Sequence, residues 1–303
     1  MNLQEFLEKS GEEESLLSVV ATLAKGIKLI SHNIHDCHQG EAGRGENVCG
    51  DTQMTLDIVA NQLLEKELKE NKYVHSYASE EEEIEVELNP EGKYCIAFDP
   101  LDGSSLINTN LAIGSIFGVY EGKDFVGQKG DNQLFSAYAV YGPRTTFAIT
   151  FGKGVYIFSL NTIGDFVLTH DNPRVAEVSK IFSPGNLRAV TENPNYLKLV
   201  NEWMMDAKTL RYSGGMVPDV NKIFCKGSGI FSYPSHTKYP SGKLRLLYEC
   251  APFAFLMEAA GGSALDEKGK RILDIEVIDL HQRSSLFIGS KNEVEKSVEY
   301  LKS

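Results

Sequence analysis

Two aspartates and two serines lie close together in the short stretch FDPLDGSS. Pro100 prevents a helix from running through Asp99 and favours an extended backbone there. Gly103 lets the main chain approach a ligand closely. Carboxylates attract a hard divalent cation, and the amides and hydroxyls of Ser104 and Ser105 would attract a phosphate if a helical turn starts there. The stretch therefore predicts a metal-bridged phosphate site. An ordinary Asp-Gly turn with an Asx cap is the alternative.

Other carboxylates could complete such a site. Glu249 lies in the apolar stretch LRLLYECAPFAF, and a carboxylate buried there needs a partner or a metal. Asp51 and Asp57 lie in GDTQMTLD at a predicted helix start, where Asp51 could be an N-cap and Asp57 a surface residue. The run SEEEE at 79–83 has the composition of a solvated charged segment. Of these acids, Glu249 is the one that its neighbours alone indicate as functional.

Basic residues that could bind a phosphate are few and occur in groups. Arg188 lies in SPGNLRA, Arg211 in LRYSGG, and Lys243 and Arg245 in GKLRLLYE. Arginine suits bidentate phosphate contact, and lysine acts as a point charge. Each of them could instead serve only solubility at the surface.

The elements that must position these residues follow from the hydrophobic pattern. Apolar residues at helical spacing predict helices over 12–35 and 54–69. From Tyr94 onward, shorter apolar runs separated by glycine-containing loops predict an antiparallel or mixed sheet. The polar stretch Asn172–Lys180 is the best candidate boundary, which divides the chain into residues 1–179 and 180–303. The pattern predicts an α/β protein in two parts.

Composition limits the possible partners and locations. The 303 residues carry a net charge of −12, which argues against nucleic acid as a partner. The longest apolar runs are too short to span a bilayer, and the acidic amino terminus does not resemble a targeting signal. We therefore expect a cytoplasmic protein without a membrane partner. Five cysteines without a CxxC pair indicate reduced thiols rather than a disulfide framework or a zinc site.

Several motifs together resemble a known family. FDPLDGSS, GKLRLLYECAPFAFLMEAAGG and GDTQMTLD are similar to those of the fructose-1,6-bisphosphatase family of sugar bisphosphatases, within the wider sugar phosphatase and inositol monophosphatase superfamily. The likeness covers nearly the whole chain. FSPGNLRA, LRYSGGMVPDVN and IGSKNEV resemble the sedoheptulose-1,7-bisphosphatase branch, and Leu106 stands where the fructose branch usually has asparagine. The resemblance implies a layered α-β-α-β-α sandwich with mixed sheets.

The same resemblance implies a metal site and an attacking water. It assigns residues 1–179 to metal and phosphate binding and residues 180–303 to sugar binding. Two or three Mg²⁺ ions are expected, with Mn²⁺ as a plausible substitute. Asp51 and Asp57, with Glu81, would position and activate the water, while the rest of the acidic run stays solvated. The implied metal ligands are Glu80, Glu81, Asp99, the main-chain oxygen of Leu101, Asp102 and Glu249.

The resemblance also implies how a substrate is held. Ser104 and Ser105 would bind the phosphate that is cleaved. Arg211 would reach in from a neighbouring subunit, which predicts a homodimer or homotetramer. The residues expected to contact the sugar and its distal phosphate are Asn186, Arg188, Arg211, Tyr212, Gly214, Gly215, Met216, Tyr233 and Lys243.

The implied reaction is Mg²⁺-dependent hydrolysis of the 1-phosphate of sedoheptulose 1,7-bisphosphate. A preference for fructose 1,6-bisphosphate, acceptance of both sugars, and a non-catalytic phosphosugar sensor are the alternatives. Lys93 and Tyr94 match a nucleotide-inhibitor site of the fructose enzymes, but Glu121 replaces its arginine, which predicts no strong inhibition by AMP. Cys37 and Cys49 are too far apart in sequence to match the closely spaced redox pair of chloroplast enzymes, which argues against thiol switching.

Overall fold

The computed structural model describes residues 1–36, 45–46, 52–53 and 55–302. Cys37, Cys49 and Asp51 lie outside these residues, so the expected absence of thiol switching stays a prediction. The predicted helices over 12–35 and 54–69 are present with slightly different ends. The α-helices are α1 Leu3–Ser10, α2 Glu14–Asp36, α3 Thr55–Lys69, α4 Pro194–Met205, α5 Met216–Lys226, α6 Ala251–Ala259 and α7 Lys291–Lys302.

The strands form a large sheet, a smaller sheet and two short pairs. They are β1 Gly45–Glu46, β2 Thr52–Gln53, β3 Val74–Ser79, β4 Val86–Glu87, β5 Tyr94–Asp102, β6 Ile113–Glu121, β7 Gln133–Tyr141, β8 Thr145–Thr150, β9 Tyr156–Leu160, β10 Phe166–Asp171, β11 Ile181–Pro184, β12 Thr209–Leu210, β13 Ile230–Tyr233, β14 Leu244–Arg245, β15 Ser263–Leu265, β16 Arg283–Ser284 and β17 Leu286–Gly289.

The large sheet has eight strands in the order β10-β9-β8-β7-β6-β5-β3-β4. Its neighbours are antiparallel except for β3 and β5, which run parallel. The smaller sheet has the order β12-β11-β13-β17-β15 and likewise mixes both directions. The predicted α/β class with mixed sheets is therefore confirmed.

The sheets and helices stack in five layers. Ile96 and Phe98 of β5 pack in one core with α2 and α3, whereas Cys95 and Ala97 face a second core shared with α5 and α6. This alternation is the two-residue period of a strand buried on both faces. The second core extends to Phe231 of the smaller sheet, whose other face packs against α4 and α7. The order is α-β-α-β-α, as the resemblance implied.

Helix α2 contains Glu14–Ile34, a stretch long and apolar enough to cross a membrane by length and composition. Within the protein, 56% of its most apolar window is buried. Val19, Leu23 and Ile27 of this helix are fully buried in the core beside the large sheet. The stretch has the character of a core helix, and length and composition alone are weak evidence for a span. The cytoplasmic location stays a prediction.

Candidate active site

The site begins where β5 ends. Asp99 is 4% exposed, and its carboxylate accepts a hydrogen bond of 2.8 Å from the Leu101 amide. The pairing of β5 with β6 is irregular between Asp99 and Asp102, so the strand turns there. Gly103 follows with φ +82°, a conformation that favours glycine. A 3₁₀ helix then runs over Ser104–Thr109, which supplies the helical turn expected from FDPLDGSS.

Glu249 reaches the same place from the other part of the chain. It lies in a π-helical turn, Leu246–Cys250, that leads directly into α6. Such turns are rare and occur frequently at functional sites. The Arg245 amide donates a hydrogen bond to the Glu249 carboxylate. Among the described residues, Asp99, Asp102 and Glu249 each offer a carboxylate oxygen within 4.8 Å of the others.

Burial and mutual repulsion raise the pKa values of these carboxyl groups. Burial, reinforced by the charge of Glu80, raises the pKa of Asp99 well above its usual value. Burial is also the main cause that raises the pKa of Asp102 to about 7 and that of Glu249 to about 8. Carboxylates crowded in a buried site need positive charge to stay ionised together. Their all-oxygen donor set fits Mg²⁺ or Mn²⁺.

The acidic loop after β3 lies beside this cluster. The Glu80 amide donates to the Phe98 carbonyl at 3.1 Å, which ties the loop to β5. The Glu80 carboxylate lies 3.5 Å from Nε of the buried Arg245. Glu82 is not simply solvated, as the sequence analysis expected, because it accepts a hydrogen bond of 2.8 Å from Asn61. That part of the prediction is wrong because Asn61 on α3 presents its amide to the loop.

A cleft of about 350 Å³ joins the carboxylates to polar and basic groups of the other half of the chain. Thirteen residues predicted from the sequence line it: Glu80, Glu81, Asp99, Leu101, Asp102, Ser104, Ser105, Tyr212, Gly214, Met216, Tyr233, Lys243 and Glu249. Lys243, from the loop before β14, lines the same cleft, and its positive charge opposes the rise in the pKa of Asp102. One cleft therefore offers both a cation site and groups suited to a phosphorylated sugar.

Other predicted residues lie outside the lining of this cleft. Asp57 is 2% exposed, so the alternative of a surface residue is wrong for it. Asn186 donates its side-chain amide to the Pro234 carbonyl at 2.8 Å. Arg211 is exposed, and its Nη1 donates to the Leu210 carbonyl at 2.9 Å. Gly215 is the N-cap of α5.

Arg188 is exposed and lies near two lining tyrosines. Burial raises the pKa of both Tyr212 and Tyr233, and the positive charge of Arg188 opposes that rise. A cation beside two phenol hydroxyls is suited to contact with a phosphorylated sugar.

Several lining residues were not predicted from the sequence. They are Phe231, Leu244 and Arg283. Arg283 donates to the Lys243 carbonyl, and β16, where it lies, pairs with β14. The arginine in HQRSS could have been noted as a basic residue, but nothing in its spacing connects it with Lys243. That neighbourhood depends on long-range strand pairing.

Two family models cover almost the whole chain. Residues 2–171 match the fructose-1-6-bisphosphatase N-terminal domain, and residues 175–302 match the fructose-1-6-bisphosphatase C-terminal domain. These matches do not test the function predicted for either half of the chain.

Individual proteins of this family are also similar to nearly the whole chain. A class 1 fructose-1,6-bisphosphatase of Syntrophotalea carbinolica is 39% identical over 97% of this chain and 92% of its own. The chloroplastic sedoheptulose-1,7-bisphosphatase of Triticum aestivum is 40% identical over 97% of this chain and 75% of its own. A solved structure of Leishmania major fructose-1,6-bisphosphatase superimposes with a TM-score of 0.92 at 33% identity, covering 100% of this chain and 99% of that one.

Proposed function

Because the chain belongs to the fructose-1,6-bisphosphatase family of sugar bisphosphatases, which are phosphoric monoester hydrolases, we propose that it removes the 1-phosphate of a ketose bisphosphate with the help of Mg²⁺. The observation that carries the proposal is the buried cluster of Asp99, Asp102 and Glu249 beside the turn at Ser104. Carboxylates that suit a cation, with a lysine in the same cleft, suit a phosphorylated sugar as substrate.

Carboxylates and one main-chain oxygen would hold two or three Mg²⁺ ions per site. When bound, the ions would supply the positive charge that an in-line displacement at phosphorus needs. Mn²⁺ has the same preference for oxygen ligands and substitutes for Mg²⁺. The proposed ligands are Glu80, Glu81, Asp99, the main-chain oxygen of Leu101, Asp102 and Glu249.

The chain's own groups bind the substrate and orient the water. Asp57 and Glu81, together with Asp51, orient the attacking water and accept its proton. The amides and hydroxyls of Ser104 and Ser105 bind the phosphate that leaves the sugar.

A second set of residues grips the far end of the substrate. The Lys243 ammonium pairs with the distal phosphate, and the backbone around Gly214 lines the sugar. This set comprises Asn186, Arg188, Arg211, Tyr212, Gly214, Gly215, Met216, Tyr233 and Lys243.

The substrate that the relatives' names favour is fructose 1,6-bisphosphate. Sedoheptulose 1,7-bisphosphate, the substrate expected from the sequence, is the second candidate. The wheat relative and the apolar Leu106 beside the phosphate turn favour it. Preference for either substrate depends on how the cleft fits the length of the sugar.

Phosphate release from both bisphosphates, measured with Mg²⁺ and with a chelator, tests the proposal. We expect turnover of at least one sugar and its loss on chelation. Turnover that survives chelation would contradict the metal mechanism. Absence of turnover with either sugar would contradict the proposed function and leave a phosphosugar sensor to pursue.

Arg211 acts on the substrate of a second copy of the chain. The support for this is its exposure and its position outside the lining of its own cleft. The protein is accordingly at least a homodimer. Light scattering of the purified protein tests the oligomer, and a monomer with full substrate affinity would contradict this role of Arg211.

A further inference from the structure

Asp219 is a buried carboxylate that the proposed chemistry leaves unused. It lies in the first turn of α5 and is 0% exposed. It does not line the cleft. A carboxylate without contact with water is costly unless several donors satisfy it, so its partners indicate what it does.

Those partners belong to the segment that precedes α5. The Ser213 amide donates to both Asp219 oxygens, at 2.9 and 3.0 Å, and the Ser213 hydroxyl donates at 3.0 Å. The Gly214 amide adds a longer contact of 3.3 Å. Gly214 has φ +101° and lines the cleft. The carboxylate therefore fixes the backbone that carries part of the substrate wall.

Lys222 extends this hold toward Arg211. Its ammonium forms an ion pair with Asp219 and donates to the Arg211 carbonyl at 3.0 Å. The Ser183 hydroxyl donates to the same carbonyl. Asp219 and Lys222 thus hold both ends of the segment 211–214, whose side chains include Arg211 and Tyr212.

The same turn of α5 also contacts the carboxylate cluster. The Val217 amide, free of an intrahelical partner because it lies at the helix start, donates to the Asp102 carboxylate at 2.7 Å. The helix start therefore links Asp102 with the segment 211–214. Asp219, two residues after Val217 in the same helical turn, binds the Ser213 and Gly214 amides of that segment.

We infer that Asp219 is a positioning residue that holds the segment 211–214 in its binding conformation and so sets the affinity for the sugar and its distal phosphate. The inference rests on the proposed function, because that function assigns Arg211, Tyr212 and Gly214 to the substrate. Asp219 itself does not touch the substrate.

The variant Asp219→Asn tests this inference, because it keeps the size of the side chain and removes its charge. We expect KM for the better bisphosphate to rise by about 10-fold or more, with kcat changed by less than about 3-fold. With fructose 1-phosphate, which keeps the sugar but lacks the distal phosphate, kcat/KM should fall less than it does with the bisphosphate. The milder variant Lys222→Gln, which keeps Asp219, should raise KM in the same direction but less.

Glu293→Gln is the matched control. Glu293 is 5% exposed, accepts a hydrogen bond of 2.6 Å from Trp203 and pairs with Lys208 at 3.1 Å, between α4 and α7. It is thus a buried, ion-paired carboxylate away from the cleft. We expect it to lower Tm about as much as Asp219→Asn does while leaving KM unchanged. An equal rise of KM in both variants, or no rise in Asp219→Asn, would overturn the inference.

Amide hydrogen exchange separates this inference from the proposed function. The Ser213 and Gly214 amides should exchange at least about 10-fold faster in Asp219→Asn than in the wild-type protein, and in Glu293→Gln they should not. If the wild-type protein hydrolyses neither bisphosphate, the proposed function fails. The exchange rates would still test whether Asp219 fixes the conformation of the segment 211–214. Unchanged exchange would overturn the inference even in an active enzyme.

Discussion

Asp99, Asp102 and Glu249 owe their proposed role to the cost of burying charge. Asp99 and Glu249 are buried and Asp102 is partly buried, and burial is the largest cause of the raised pKa in all three. For Glu249, the apolar neighbours in the sequence were sufficient to predict that its carboxylate is buried and functional. The sequence could not predict Asp219, because its donors Ser213 and Gly214 lie in the same kind of polar stretch as many exposed loops.

Glu249→Gln should remove activity without unfolding the protein. The amide has nearly the same shape but lacks the charge that a divalent cation needs, so we expect kcat/KM to fall by at least about 100-fold. Calorimetry should show correspondingly weaker Mg²⁺ binding. Glu293→Gln serves again as the control, with kcat/KM close to wild type. A Glu249→Gln variant within about 3-fold of wild type would exclude Glu249 as a ligand.

The described cysteines should differ sharply in reactivity. Cys95 and Cys250 are buried, and burial raises the pKa of Cys95 to about 12, whereas Cys225 is exposed. A raised pKa lowers the thiolate fraction, to about 1 in 10⁴ for Cys95 at pH 8, and only the thiolate reacts. Burial also raises the pKa of Cys225, but this residue is exposed. Among the described cysteines, iodoacetamide at pH 8 should therefore modify Cys225 before Cys95 and Cys250, with the rate rising at higher pH. Peptide mass spectrometry measures the order, and labelling in guanidinium chloride should make the three alike.

At the scale of elements, the sequence predicted the long helices and the core strands because their hydrophobic periods are regular. The π-helical turn at Leu246–Cys250 was not predicted, because one added residue in a turn leaves the apolar pattern almost unchanged. The short pair β14 and β16 was also not predicted. Its two residues on each side carry no pattern, and long-range packing sets their register.

Gly242→Ala tests how closely these short strands must approach. Gly242 has φ +102°, and a Cβ there would overlap the backbone of Ser284 and Ser285. We expect unfolding in urea to show a loss of about 3 kcal/mol or more, together with a higher KM because Lys243 is displaced.

Gly164→Ala is the control for Gly242→Ala. Gly164 has φ +87° but no atom within 4 Å of an added Cβ, so only backbone strain of about 1–2 kcal/mol applies. KM should stay at the wild-type value in this variant. Equal losses of stability in the two variants would show that strain alone, and not the approach of the strands, decides the cost.

For the whole molecule, the order of layers was expected from the family resemblance alone, and the assembly of the site does not follow from local pattern either. Asp57 illustrates this. From its spacing it could have been a surface residue, yet it is buried beside the large sheet because α3 packs there. Most residues of the site were predicted from motifs shared with the family. The hydrophobic pattern of the sequence alone predicted mainly the helices and strands.

AMP should inhibit this enzyme weakly, if at all. The Lys93 ammonium is paired with Glu13 and lies 3.4 Å from Glu121, and Tyr94 contacts the Ser15 hydroxyl at 2.7 Å. Two carboxylates around the lysine oppose a phosphate. We expect less than about 2-fold inhibition at about 1 mM AMP in a phosphate-release assay. Added fructose 6-phosphate, which has no 1-phosphate to release, should compete in the same assay and serves as a check of its sensitivity. Micromolar inhibition would contradict the prediction.

The separation of Asp99 and Asp102 from Glu249 along the chain has a consequence for biosynthesis. The first two belong to β5, and the third arrives with the turn before α6, after more than four fifths of the chain. With these three carboxylates as the proposed ligands, a growing chain on the ribosome lacks a complete cation site until that late turn has emerged and docked. A copy that ends before this turn should therefore not hydrolyse a phosphorylated sugar.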